Sequence, residues 1–337
     1  MLTRLPRPGT VGTVLVSSAV LAVLVLASLA VGSHHIPLGR VIAAFTAYDA
    51  SLSDHVLVRD LRVPRTGVAV VVGAALGAAG ALTQAVTRNP LAEPGFLGIS
   101  AGAAVVVALG LVVMPHADVA TMILFSFAGA ATSGIAVLLL GGAFRETVDP
   151  VRLVLAGAAL SVVLSAVTGA LVINNRAVFE SFRYWDSGAV AARPWPLIVT
   201  GTVITVLGIV LGLIAAPGLN ALALGSELGR AVGASPLLTW SLAGIAVVLL
   251  AGTATAIAGP ISFVGLAAPM IVRSLLGPDQ RRLVPVSALV AADALLLADV
   301  LGRAVVPPQE VQASVVCAVI GAPIFIAFAR RRRLDRL

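Results

Sequence analysis

Ten stretches of this chain are apolar over lengths suited to a lipid bilayer, and that pattern constrains the fold more than any other feature. A membrane-crossing helix needs about 20 predominantly apolar residues. The stretches run over residues 11–31, 63–86, 97–114, 120–143, 151–173, 195–215, 237–257, 260–276, 283–306 and 312–329. The eighth is the weakest, being short and carrying Pro260 and Pro269. Charged residues make up 11% of the 337, too few to clothe a water-facing surface that would ordinarily need about a quarter. The expectation is an all-α integral membrane protein with about ten transmembrane helices, in one domain over 1–337. The first stretch follows Arg4 and Arg7, as a signal peptide would, but it exceeds the usual apolar core of about 7–15 residues. It reads as an uncleaved first helix.

All 22 basic residues are arginine. Without a lysine there is no Walker phosphate loop, so any ATP and its Mg must be held by another chain, and no cofactor is expected on this one. The single cysteine, Cys317, lies in an apolar run, which removes disulfides and cysteine-based metal sites. The net charge of +7 fits arginine-rich membrane flanks better than nucleic-acid binding. With the N-terminus inside, 14 arginines fall on the cytoplasmic side, Arg330 to Arg333 among them, and eight fall outside. That bias predicts both termini in the cytoplasm and a multi-pass protein of the plasma (inner) membrane. Arg59, Arg62 and Arg65 cluster on the outer side against the rule and require another reason to be there.

Three loops are long: 32–62 and 174–194 outside, 216–236 inside. In the inner loop Asn220, Leu222, Leu224, Leu228 and Val232 interleave with Ala223, Gly225, Glu227 and Arg230, predicting two short helices hinged at glycine. Such a pair suits docking into a partner's groove, or is a plain surface loop. Ser161, Ser165 and Thr168 recur on one helical face, which either lines an aqueous path or bonds neighbouring helices; Gln84 is a further polar residue inside a span. Gly73-xxx-Gly77, Gly98-xxx-Gly102 and Gly129-xxx-Ser133 carry the spacing that lets helices approach closely in lipid. Two turn clusters, Arg88 to Gly95 and Ala258 to Gly265, interrupt the apolar runs in similar surroundings, a hint of repeats in opposite orientation.

Enzyme chemistry finds little support. Gly98-Ile99-Ser100-Ala101-Gly102 matches a serine-nucleophile pattern, but it opens a membrane helix where a strand-to-helix turn is needed. The four histidines all lie in outer loops without a metalloprotease spacing. Within the ninth span Asp299 stands one turn before Arg303, so the two can pair. Asp293 has no local partner; it marks an ion or proton path, as in a proton-coupled secondary transporter, or bonds to neighbouring helices.

The segment VRDLRVPRTGVAVVVGAALGAAGALTQAVTRNPLAEPGFLGISAGA resembles the FecCD family, the permeases of type II ABC importers for iron–siderophore complexes, haem and vitamin B12. So do LNALALGSELGRAVG, AGPISFVGLAAPMIVR, LLLADVLGR and VVCAVIGAPIFIAFARRRR, in family order along essentially the whole chain. The resemblance implies ten helices, a second permease subunit, two ATPase subunits beneath and an external substrate-binding lipoprotein. The iron–siderophore branch often pairs two different permeases, so a heterodimer is expected over a homodimer. Asn220 to Ala234 matches the ATPase-coupling helices. Arg62, Arg65 and Arg303, with Arg59 beside them, match positions that meet acids on the binding protein. Asn89 and Leu91 match an inner gate; its other element is replaced here by Asp149-Pro150-Val151, and Met270 stands where many relatives have histidine. The implied function is transport of a ferric siderophore, with haem or cobalamin as the alternative cargo and no catalysis on this chain.

Overall fold

The computed structural model describes residues 9–32, 34–142 and 150–329. Arg4, Arg7, Arg145, Asp149 and Arg330 to Arg333, used above for orientation and gating, lie outside the described residues. In chain order the helices are α1 (Thr10–Ala30), α2 (Leu38–Thr46), α3 (Ser53–Val56), α4 (Val63–Thr87), α5 (Ile99–Val113), α6 (Val119–Gly141) and α7 (Pro150–Ile173). They continue with α8 (Arg176–Asp186), α9 (Trp195–Leu222), α10 (Ser226–Ala231), α11 (Pro236–Ala258), α12 (Val264–Leu276), α13 (Gln280–Val305) and α14 (Ala313–Ala329). A π-helical turn, Leu57–Arg62, leads into α4, and a 3-10 turn, Pro94–Leu97, leads toward α5. No strand occurs among the described residues. Seven helices are long and apolar enough to cross a membrane, and α5, α12 and most of α14 are shorter apolar ones, together accounting for the ten stretches.

Helices α4, α11 and α13 form the centre. The apolar windows of α4 and α11 are each 78% buried and that of α13 67%, against 11% for α7, which therefore presents most of itself outward. The centre closes on small residues. A Cβ added at Gly77 would lie 2.1 Å from the Ser287 carbonyl oxygen, and one at Gly80 only 1.7 Å from that of Gly265. Lipid tails provide no hydrophobic drive between helices, so backbone proximity of this kind supplies the dispersion contact that replaces it. A second seam joins α5 to α6, where a Cβ at Gly102 would meet the Ser133 side chain at 2.2 Å.

Helices α5 and α12 have 15 and 13 residues. At about 1.5 Å per residue they cover roughly 20 Å of a hydrocarbon core about 30 Å thick. Irregular segments supply the remaining depth: 88–98 after α4 and 259–263 after α11, entering from opposite faces. They meet inside the protein. The Phe263 N–H donates to Glu93 Oε1 at 3.0 Å, Gln84 Nε2 donates to the Leu266 carbonyl at 3.2 Å, and Pro94 packs beside Gly265. Glu93 thus receives an N–H at the start of α12 that no helical carbonyl can reach. Non-helical backbone is tolerated at membrane depth where protein surrounds it, as here. The two turn clusters of the sequence are in contact, each followed by a half-length helix running opposite to the other.

The sixth span departs from expectation. The apolar stretch ends at 215 and the expected loop 216–236 holds Asn220 and Leu222, but α9 continues through Pro217 to Leu222. Packing overrides the proline: Gly218 lies against Thr239 of α11, and Leu219 and Leu222 are buried. In place of two short helices hinged at glycine, one follows, α10, after Gly225 at φ 111°.

Candidate functional site

Two ends of the bundle and one open flank carry the residues singled out in the sequence. At the end where α4 and α9 finish, Asn220 joins two elements. Its Nδ2 donates to Asp279 Oδ1 at 2.6 Å and its Oδ1 accepts from the Gln280 N–H at 2.9 Å, tying the last turn of α9 to the first of α13. Leu222 is buried, and its carbonyl accepts from Arg88 Nη2 at 2.8 Å. The Arg88 guanidinium also lies 5.9 Å from the ring of Trp240 on α11. Next to Arg88, Asn89 is exposed and its Oδ1 accepts the Leu91 N–H at 2.9 Å, which holds the turn beyond α4, with Leu91 half-buried. Gly229 of α10 seats on Leu222. Beyond this anchored base, Leu224, Leu228 and Val232 are 66%, 61% and 67% exposed, with Ala223, Glu227 and Arg230 exposed around them. Three large apolar side chains are thus left exposed beside an anchored base.

Arg88, Trp240 and Asp279 form this junction without having been singled out for it. Arg88 stood only among the orienting charges and at the head of a turn cluster. Its partner lies 134 positions away, and a side chain-to-carbonyl bond over that distance leaves no local sequence pattern.

At the opposite end a buried charge cluster centres on Asp299. It accepts from Arg65 Nε and Nη2 at 3.0 and 2.9 Å and pairs with Arg303 Nη2 at 3.0 Å; Arg65 also reaches Glu310 at 2.7 Å. Arg303 donates further to the Ser28 carbonyl at 3.0 Å, the Val31 carbonyl at 3.1 Å and Ser28 Oγ at 2.8 Å. Arg62 donates to the carbonyls of Leu29, at 2.7 Å, and His34. The last carbonyls of a helix lack internal partners and carry partial negative charge. Helix α1 has no basic residue in its last turn, and Arg62, at the entry to α4, and Arg303, on α13, supply the missing cations. This accounts for positive charge on that side of the membrane. Arg62 and Arg303 are only 5% and 2% exposed, so their donors serve the bundle. Arg65 is partly open, and with Arg62, Arg303, Gly32, Ala191 and Glu310 it borders a cavity of about 190 Å³. Arg59 is exposed and lies 4.5 Å over the Tyr48 ring.

The polar residues of the spans divide. Ser161 and Thr168 donate to carbonyls of their own helix, Gly157 and Leu164, both at 2.8 Å, while Ser165 is exposed on the open side of α7. Gln84 is fully buried at the junction of the two turn clusters. Asp293 accepts from Ser17 of α1, which joins those two helices. Among the described residues no group of three or more His, Cys, Asp or Glu side chains is placed to hold a metal ion. Gly98 to Gly102 enters α5 from a 3-10 turn, so the serine-nucleophile pattern lacks its strand.

A centre of close-packed helices, seven of them long and apolar enough to cross a membrane, and two opposed half-length helices define a multi-pass membrane protein. The comparisons with known proteins specify the kind. The model of the FecCD transport family matches residues 20–331. The chain is 38% identical over 305 residues to the ferric enterobactin transport system permease protein FepD of Escherichia coli (strain K12), covering 90% of this chain and 91% of that one. It is also 38% identical over 306 residues to the Fe(3+)-citrate import system permease protein YfmD of Bacillus subtilis (strain 168), covering 91% and 90%. A solved structure described as an inward-facing conformation of a metal-chelate type ABC transporter superposes with a TM-score of 0.81 at 24% identity, over 96% of this chain and 100% of that one. The chain belongs to the FecCD transport family and has the fold of an ABC importer permease.

Proposed function

We propose that this chain is the membrane-spanning subunit of an ATP-driven importer that passes a ferric siderophore from an external binding protein into the cytoplasm. The observation that carries the mechanism is the anchored surface of Leu224, Leu228 and Val232. A partner moving against that surface displaces α10, and the displacement has two stiff routes inward. One runs from Leu222 through Arg88 to the turn of Asn89 and Leu91; the other runs from Asn220 through Asp279 to α13. Energy released on ATPase subunits, which hold the nucleotide and Mg, reaches the membrane helices without any chemistry on this chain.

The remaining parts of the machine follow from the same reading. This end is cytoplasmic, as are both termini, and the single permease domain spans 1–337. The open flank on α7, with Ser165 on it, pairs with a second permease chain around a shared path. The binding lipoprotein docks at the other end, where Arg65 and Glu310 are the more exposed and Arg62 and Arg303 line the same cavity from a buried position. Equal identity to an enterobactin and a citrate system supports ferric chelates as a class and leaves the individual siderophore to experiment. Replacing Leu224 with Asp tests the coupling role: uptake is lost while the protein stays in the membrane and the partner ATPase runs uncoupled. Normal uptake in that variant overturns the assignment.

A further inference from the structure

We infer that α2, in the segment between α1 and α4, is an interfacial helix whose outer face lies in the lipid headgroup and acyl boundary of the adjoining leaflet. At about 100° per residue its nine positions fall into three sectors. Val41 and Ala44 are buried against Ile36, Val58 and the end of α1. Leu38, Ile42 and Phe45 form a second stripe and are 54%, 61% and 54% exposed. Gly39, Arg40, Ala43 and Thr46 fill the remainder, with Arg40 paired to Asp54 at 2.5 Å. A helix with one packed, one apolar and one polar sector has no reason to show the apolar sector to water.

The depth of that stripe is set by its neighbours. Phe45 and Tyr48 share a cavity of about 410 Å³ with Val63 and with Trp195, the first residue of α9, a helix of membrane-crossing length. The first turn of a spanning helix sits at the membrane–water boundary, so Phe45 and Tyr48 sit there too. Tyr48 and Trp195 are the residue types that gather in that belt, and Phe45 completes the set. Arg59, held over Tyr48 at 4.5 Å in the same cavity, places a cation at the level of lipid phosphates, with Asp60 beside it. An apolar stripe flanked by aromatic rings and an arginine, at boundary depth, matches how amphipathic helices lie in a bilayer surface. The occupant is therefore lipid, and the face is unavailable to the binding protein. Held at the boundary, α2 also fixes the end of α1, whose Leu29 and Ala30 pack against it.

The test uses the assembled transporter in nanodiscs of phosphatidylethanolamine and phosphatidylglycerol. The background is Cys317→Ala, with a nitroxide on Ile42→Cys or, as the control in the polar sector about 100° away, Ala43→Cys. Collision with oxygen, which partitions into lipid, is compared with collision with a water-soluble nickel chelate. The Ile42 label should favour oxygen, reversing the ratio seen at Ala43, and should not change when binding protein is added. A label at Ile42 as open to nickel as at Ala43 overturns the inference. So does one shielded from both probes, or shielded only by the binding protein, since a protein surface would then cover the stripe.

Discussion

Replacing Arg303 with Met separates a structural arginine from a recognition arginine. The guanidinium is 2% exposed, pairs with Asp299 at 3.0 Å, and holds the Ser28 and Val31 carbonyls at 3.0 and 3.1 Å. Methionine keeps much of the volume, so little of the effect comes from a cavity. Breaking a buried pair typically costs about 3–5 kcal/mol, because the other charge is left without a partner. Asp299 keeps Arg65 at 2.9 Å, which puts the ion-pair part at the lower end of that range. The carbonyls at the end of α1 add to it, since hydrogen bonds to charged groups contribute about 1.5–3 kcal/mol each and are not additive within one network. A total of about 3–5 kcal/mol is a large share of a stability of about 5–15 kcal/mol. The assay is the half-life of monodisperse permease at fixed temperature, with no binding protein present, because large membrane proteins unfold irreversibly. Arg303→Met should be short-lived, and Asp299→Asn combined with it should shorten the half-life further, because Arg65 then keeps only Glu310 as a partner. A variant as long-lived as wild type that nevertheless fails to dock binding protein would refute the reasoning and return Arg303 to the surface.

Three further outcomes follow from particular contacts. Gly80→Ala places a methyl 1.7 Å from the Gly265 carbonyl, so α4 and α12 must part and the yield of monodisperse protein should fall; an unchanged yield contradicts the packing. Asp293→Asn keeps an acceptor for Ser17, so ATP-driven uptake should stay within a few-fold of wild type, whereas its loss with normal assembly would revive a proton-relay role. Asp54 is held below the usual carboxylate range, first by its hydrogen bond from Arg40. A depressed folded value stabilises above the unfolded value, near about 3.9, and is lost as pH falls through the folded one. Hydrogen exchange in 38–56 should therefore be flat from neutral pH to mild acid after correction for intrinsic rates, and rise only in strong acid.

The sequence was legible wherever the bilayer itself dictates the pattern. The long spans α4, α11 and α13 begin and end within a few residues of the apolar runs, because each must satisfy its own backbone across the hydrocarbon. Glycine spacing likewise foretold close helix packing. What stayed hidden depends on contacts between distant positions. Pro217 reads locally as a stop, yet burial of Leu219 and Leu222 carries α9 past it. The turn clusters hinted at a repeat, but it takes the Glu93–Phe263 bond and the packing of Pro94 on Gly265 to reveal that they touch. Arg62 and Arg303 look like exposed recognition charges on the sequence; the carbonyls that hold them belong to α1, far along the chain. Charge type is readable from sequence, whereas the partner that decides its role is not.

Uptake by proteoliposomes containing the complete assembly tests the central claim most directly. Radiolabelled ferric siderophore is supplied with binding protein on one side and ATP on the other, in the presence and absence of a protonophore. The account predicts accumulation that requires both hydrolysable ATP and binding protein, survives the protonophore, and is abolished by Leu224→Asp. Accumulation that proceeds without ATP and collapses with the protonophore would contradict it.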